Sequence, residues 1–318
     1  MLDFNDSIKF DEKENDLLTV GEMLVDMISA DYSEDFECDT YNKFFGGSPA
    51  NIAMNARRLG IKSIIASAVG KDGLGDFLIK RLEQCGIDTS YINRVDCSTS
   101  MVLVTKSKSS PTPIFYRAAD YNIVYSKQLE QAVQNSKIVH FSSWPISRKP
   151  ARDTIEAIIE EARRNKVLLC YDPNYHPMIW EKGHDGLSYI KSIIGKVDIV
   201  KPSEDDARRI FGEDTPENQL NKFLGLGAKL VIMTLGKNGA IVSNGRETKK
   251  FNTLATEVVD TTGAGDAFWS GFYSGLIKGY TLEKSLKLGF AVSAYKLRYT
   301  GAVVELPNLE EIKILFGI

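Results

Sequence analysis

The chain has 318 residues, 43% hydrophobic and 25% charged, an ordinary globular composition that fits one large α/β domain or one domain with a small insertion. Lys and Arg number 39 against 42 Asp and Glu, a formal charge of −3, so no strong basic field exists for nucleic acid or an anionic membrane. Cys38, Cys85, Cys97 and Cys170 are scattered with no C-x-x-C pair, which argues against a zinc site or disulfide framework and for reduced thiols in the cytoplasm.

No stretch approaches the roughly 20 apolar residues of a membrane span, and there is no internal repeat. Residues 1–16 are acidic, lack the apolar core of a signal peptide and read as a frayed tail. Residues 17–22 form a first buried strand, broken at Gly21. Asp26 follows inside an apolar run, 23–28. Such an acid either alternates outward on a half-exposed strand or points into a polar pocket and accepts hydroxyl hydrogen bonds. In residues 44–53, Ser48 reads as an N-cap and Pro49 as the first helical residue. Ile52, Ala53, Ala56 and Leu59 then share one helical face, and Gly60 ends the helix. Gly46, Gly47 and Asn51 stand at that helix entrance. They are either parts of a well-capped helix or a surface that lets a polyol approach the backbone.

Residues 63–69 are β-rich, and 76–85 are amphipathic and helical. Residues 101–105 and 113–116 alternate as two strands joined by a Ser/Lys/Pro turn, with no helix between them. With residues 23–43 they are expected to form a small antiparallel sheet outside the main layer. Arg117 closes the second of these strands, either as a solvated charge or as a ligand contact.

From Lys137 onward strand and helix alternate, which predicts a mainly parallel sheet covered on both faces. His140 reads as a core residue and His184 as a loop residue. In such sheets ligands sit outside the carboxyl ends of the strands. The noted motifs all follow strand ends: Asp26, Gly46-Gly47, Asp172-Pro173-Asn174, Lys201 to Glu204, Thr234-Leu235-Gly236, and Gly263 to Asp266.

The last of these belongs to the stretch from Val258 to Phe268, read as a strand, a tight turn and the first turn of a buried helix. Free amides at a helix N-terminus, reached over glycine, suit an anion such as phosphate. Asp266 adds a carboxylate able to take a proton from a hydroxyl. The plainer reading makes it a residue matched to the helix dipole. No Walker A lysine and no GxGxxG turn accompanies the stretch.

Two motifs, Gly46-Gly47-Ser48-Pro49-Ala50-Asn51-Ile52-Ala53 and Asp260-Thr261-Thr262-Gly263-Ala264-Gly265-Asp266, resemble the paired signatures of the ribokinase-like (PfkB) carbohydrate kinases, and the resemblance runs from Gly21 to about Gly301. It implies a doubly wound α/β fold over residues 1–318, with a discontinuous β lid formed by about 23–43 and 100–118. It also implies transfer of the ATP γ-phosphoryl group to a sugar hydroxyl. Asp266 would be the base, and the amides of Gly263, Ala264 and Gly265 the anion hole. Asp26, Gly46, Gly47, Asn51 and Asn174 would hold the sugar, with Arg117 reaching in from the lid. Thr234, Gly236 and Gly239 resemble the nucleotide loop. Glu204 resembles the acid that orders Mg²⁺ through water, and Lys201 replaces the asparagine usual in that motif. Asp260 and Thr262 resemble ligands of a monovalent cation, usually K⁺. A homodimer through the lid is also implied.

The helix dipole is expected to depress the pKa of Asp266. Gly21-Glu22, Phe115-Tyr116-Arg117 and the run from Asp172 to Trp180 are most similar to fructokinases. His176 stands where kinases of acidic sugars tend to carry Arg. Fructose phosphorylated at O6 is therefore the expected substrate, with 2-keto-3-deoxygluconate, another sugar or a nucleoside as the alternatives. A catalytically silent sugar-sensing homologue is the non-enzymatic one.

Overall fold

The computed structural model describes residues 2–32, 36–106 and 113–318. Most of the Ser/Lys/Pro turn expected before Pro113 lies outside them. The main sheet comprises β1 (Asn15–Val20), β4 (Ser63–Gly70), β5 (Ile92–Val95), β8 (Ser136–Ser142), β9 (Leu168–Asp172), β10 (Ile199–Val200), β11 (Leu230–Thr234), β12 (Ala240–Ser243) and β13 (Thr248–Phe251). A second sheet holds β2 (Leu24–Tyr32), β3 (Tyr41–Gly46), β6 (Met101–Lys106) and β7 (Ile114–Tyr116). The helices are α1 (Ser48–Arg58), α2 (Gly73–Gln84), α3 (Lys127–Gln134), α4 (Ser143–Ile146), α5 (Ala151–Arg164), α6 (Leu187–Ile194), α7 (Glu204–Phe211), α8 (Pro216–Gly225), α9 (Ala264–Ile277), α10 (Leu282–Lys296) and α11 (Leu309–Phe316).

Strand order in the main sheet is β13-β12-β11-β10-β9-β8-β1-β4-β5. All pairs from β5 to β11 are parallel, and β12 and β13 are antiparallel. Both faces are covered, so side chains alternate between two cores. Leu18 and Val20 of β1 join the core under α3, α5, α6, α7 and α8, while Leu17 joins the core under α1, α9 and α10. Later strands add on one side of β1 up to β5 and on the other from β8, so the order reverses between β1 and β8. A crevice opens at the carboxyl ends of strands at such a switch. His140 is fully buried on β8, Nδ1 2.7 Å from the Tyr273 hydroxyl, and burial presses its pKa down to about 3, as a core residue requires.

Three expectations are corrected. The small sheet is mixed: β2 pairs antiparallel with β3 but parallel with β6. The chain returns to the main layer between them through β4, α2 and β5, so β2 and β6 leave it in the same direction. The N-terminal stretch is pinned, because Phe4 is fully buried and the carbonyls of Phe4 and Asp6 accept the N–H groups of Glu283 and Leu282. Val258 and Val259 are exposed loop residues, not a strand. Five elements are not read from the sequence: β5, α3, α4, α6 and α11.

Candidate active site

Two helix entrances meet at Asp266. Gly263 precedes α9 in left-handed backbone, φ +75°, and a Cβ there would lie 2.7 Å from Ala302 Cα, so only glycine makes the turn. Asp266 follows as the third helical residue. The Ser48 hydroxyl donates to its Oδ1 (2.6 Å) and Asn51 Nδ2 donates to its Oδ2 (2.9 Å). Ser48 is therefore not the N-cap. Gly47 holds that position at φ +106° without a side-chain cap, and the serine hydroxyl is spent across the cleft.

The floor beside this contact is acidic. Glu22 follows β1, and its Oε1 accepts the N–H of Ser48 (3.2 Å). Asp26 on β2 lies against Gly46, where a Cβ would sit 2.3 Å from Asp26 Oδ2. A Cβ on Gly47 would come 2.3 Å from the Glu22 carbonyl. Both glycines are thus required by the strand end that carries the acids. Burial raises the Asp266 pKa to about 6, against the lowering effect of Ser48 and Asn51 and with help from the charge of Asp172. The shift is upward, contrary to the lowering expected from the sequence. Burial, then the charge of Asp266, lifts Asp26 to about 7, and burial lifts Glu22 to about 8. Among the described residues, Glu22 Oε2 and Asn51 Oδ1 are buried without a protein partner, which leaves a donor and acceptor set open to hydroxyls.

Opposite lies a buried ion pair. Lys201 follows β10, and its Nζ is 2.9 Å from Asp172 Oδ2 at the end of β9. The indole N–H of Trp269 donates to the same oxygen at 2.8 Å. A Cβ on Gly265 would meet Lys201 Nζ at 3.4 Å, so the ammonium faces the first turn of α9.

Beyond Lys201 a cavity of about 700 Å³ gathers Glu204, Thr234, Gly236, Gly239, Ala264 and Gly265. Gly239, φ +81°, packs so closely that a Cβ would lie 2.0 Å from the Phe251 carbonyl. The cavity's apolar wall was not foreseen. It comes from Leu254, Ala255 and Val258, from Phe290 in the middle of α10 and from Leu297 just after it. The exposed valine read as a strand residue is part of that wall. No group of three or more His, Cys, Asp or Glu among the described residues could hold a metal ion on its own.

The model of the pfkB family carbohydrate kinases matches residues 14–309. The chain belongs to that family. It is an ATP-dependent carbohydrate kinase, 72% identical over 318 residues (100% of this chain, 99% of the relative) to a protein of Thermoanaerobacterium thermosaccharolyticum named ATP-dependent 6-phosphofructokinase. Its fold is similar to that of Halothermothrix orenii fructokinase, with a TM-score of 0.78 and 41% identity over 86% of this chain and 97% of that one. A fructokinase double mutant from Vibrio cholerae O395, described as bound to fructose, ADP and potassium ion, gives a TM-score of 0.83 at 25% identity, covering 96% of this chain and 99% of that one.

Other residues of the kinase named from sequence sit differently. Arg117 is buried, and each of its N–H groups is used internally: Nε and Nη2 donate to Asp120 (2.9 and 2.6 Å), Nη1 to Ser147 Oγ and Ile179 O (2.7 and 2.6 Å), and Nη2 also to Trp144 O (3.3 Å). It ties the strand end of the small sheet to the main body, whereas the resemblance has Arg117 reaching in from the lid to the sugar. Asn174 is exposed in left-handed backbone, φ +36°. His176 packs edge-on to Phe115 with ring centroids 5.3 Å apart, and burial, then Arg209, lowers its pKa. Thr262 is exposed and its N–H donates to Asp260 Oδ1 (2.9 Å). The carbonyl of Asp260 accepts from the ammonium of Lys296 (2.8 Å), a residue absent from the sequence-derived candidates.

Proposed function

We propose that the kinase transfers the ATP γ-phosphoryl group to a hydroxyl of fructose 6-phosphate. The observation that carries this reading is the 72% identity, end to end, with a relative named for that activity. Fructose itself, expected from the sequence, is the second reading. It is favoured by the 41% identity to a fructokinase structure and by the buried acids lining the floor, which suit an uncharged polyol.

In this scheme Asp266 takes the proton of the attacking hydroxyl. Above pH about 6 it is ionised, and Ser48 and Asn51 hold both of its oxygens in place. The amides of Gly263, Ala264 and Gly265 face the developing negative charge, as an anion hole must. Asp26, Gly46, Gly47, Asn51 and Asn174 receive the other hydroxyls. Thr234, Gly236 and Gly239 take the nucleotide, with adenine against the apolar wall, and Lys201 neutralises phosphate charge. Glu204 orders Mg²⁺ through water, the usual mode for an ion that keeps several waters. ATP with Mg²⁺ supplies the phosphoryl group, and alignment and charge neutralisation supply most of the rate.

The whole chain would act as one kinase domain, with the small sheet as a lid that excludes water. We also propose a cytoplasmic homodimer paired through the lid. The lid exposes Tyr32, Ile114 and Tyr116, and all four cysteines are free thiols. Sedimentation of the purified protein tests the dimer.

A coupled assay of ADP release with fructose 6-phosphate, fructose, 2-keto-3-deoxygluconate, ribose and adenosine tests the substrate. The highest kcat/KM is expected with fructose 6-phosphate. A higher value with fructose establishes the second reading, and negligible turnover on all five favours the sensing homologue.

A further inference from the structure

Lys296 ends α10, where a lysine normally faces water and matches the helix dipole. Here it is fully buried. Its ammonium donates to the main-chain oxygen of Asp260 (2.8 Å). The carboxylate of Asp260 is occupied too, by the N–H groups of Thr262 (2.9 Å) and Gly301 (2.7 Å). The Val259 N–H donates to Leu297 O (2.8 Å), so the turn leading into Gly263–Asp266 is clamped to the end of α10. A buried ammonium is unfavourable unless oxygens and opposite charges compensate it. Burial lowers the pKa of Lys296, and the charges of Asp260 and Asp266 oppose that shift. The Asp260 oxygens that the resemblance offers to a free monovalent cation thus already accept an ammonium and two N–H groups, so the site carries a tethered cation where K⁺ would bind.

We propose that Lys296 is a positioning residue whose tethered ammonium supplies, at the turn before the anion hole, the positive charge that a bound monovalent cation would supply, so that the kinase works without K⁺. The inference rests on the kinase reading. Unlike an ion in exchange with solvent, a charge on a side chain stays at its site whatever the salt. It fixes the carbonyl of Asp260 and, through the turn, the orientation of the amides that follow.

The test compares KCl, NH₄Cl and tetramethylammonium chloride at equal ionic strength, for the wild type and for Lys296→Met. ADP release by the wild type should change by less than about twofold between salts. Lys296→Met should lose about 10²-fold in kcat in tetramethylammonium, the scale of a misplaced catalytic group, and recover about tenfold or more in K⁺ or NH₄⁺. A purely structural lysine would not be rescued by ions. Melting with Mg²⁺ and a non-hydrolysable ATP analogue gives a second readout. A Tm shift specific to K⁺ is expected in Lys296→Met and not in the wild type. Saturable stimulation of the wild type by K⁺, a K⁺-specific rise in its Tm, or full activity of Lys296→Met without K⁺ would each overturn the proposal. If Lys296→Met does not fold, the wild-type arms decide. If no sugar is turned over, the substrate reading fails while the melting arm still judges Lys296.

Discussion

On the α1 side of Asp266, Glu22 and Asp26 are sunk beneath two glycines with pKa values of about 8 and 7, and no lysine or arginine pairs with either among the described residues. On the side of the cavity of about 700 Å³, Lys201 is paired with Asp172, and most of the surface is glycine, hydroxyl and apolar side chain. The first region keeps its acids close to neutral by desolvation, so they can exchange hydrogen bonds with hydroxyls. The second sets a buried ammonium against a buried carboxylate, so that charge is compensated by a partner. One cleft thus uses burial in two opposite ways, and Asp266 lies at the border, with a pKa of about 6 that belongs to neither extreme.

Asp266→Asn should remove that border. Turnover is expected to fall by ~10³ or more while ATP binding persists, by analogy with other positioned acid–base groups, and kinetics with a titration of nucleotide would show it. Lys201→Met tests the paired side. Turnover should drop by ~10², and the unpartnered Asp172 should lower stability by about 3–5 kcal/mol in denaturant unfolding. Gly46→Ala tests the desolvated side, because its Cβ needs the space of Asp26 Oδ2. The KM for sugar should rise about tenfold or more, with the KM for ATP unchanged.

The smallest effects are in pH. The free-enzyme kcat/KM should fall as pH drops through about 6, as Asp266 protonates. Glu22 acts on stability. Its pKa is raised in the folded state, so the folded chain binds more protons than the unfolded one between about pH 4.5 and about 8. The stability it contributes is full below that window and lost as pH rises through it. Glu22→Gln keeps the acceptor for Ser48 and cannot ionise. It should melt like the wild type at pH 4 and several degrees higher at pH 8.5.

Much of this architecture could be read from the chain. The parallel strands announce themselves because burial on both faces makes them continuous apolar runs, and the glycine-framed turns mark strand ends. What could not be read depends on partners distant in sequence. The Ser48 hydroxyl is a good cap in isolation, but Asp266, 218 residues on, claims it. Val258 and Val259 have strand chemistry, yet no strand edge receives them and Val258 faces the cleft instead. Arg117 ends a strand as expected, but Asp120 three residues later folds its charge inward. Lys296 has the position of any helix-ending lysine, and only the tertiary fold seals it from water. Phe4 is one of several apolar residues, with Leu2, Ile8 and Phe10, scattered through an acidic stretch, and only the tertiary fold shows that it is the one fully buried.

That stretch has a practical consequence. Residues 4–6 close the amino end of α10, the helix whose far end carries Lys296, while Phe4 fills the core beneath it under the ammonium of Lys249, 4.9 Å from the ring. Trimming the first dozen residues as a flexible leader would strip two helix amides of their acceptors and open an aromatic-sized hole, a loss of about 3–5 kcal/mol by comparison with Phe→Ala changes in other cores. Expression designs should therefore leave these residues intact.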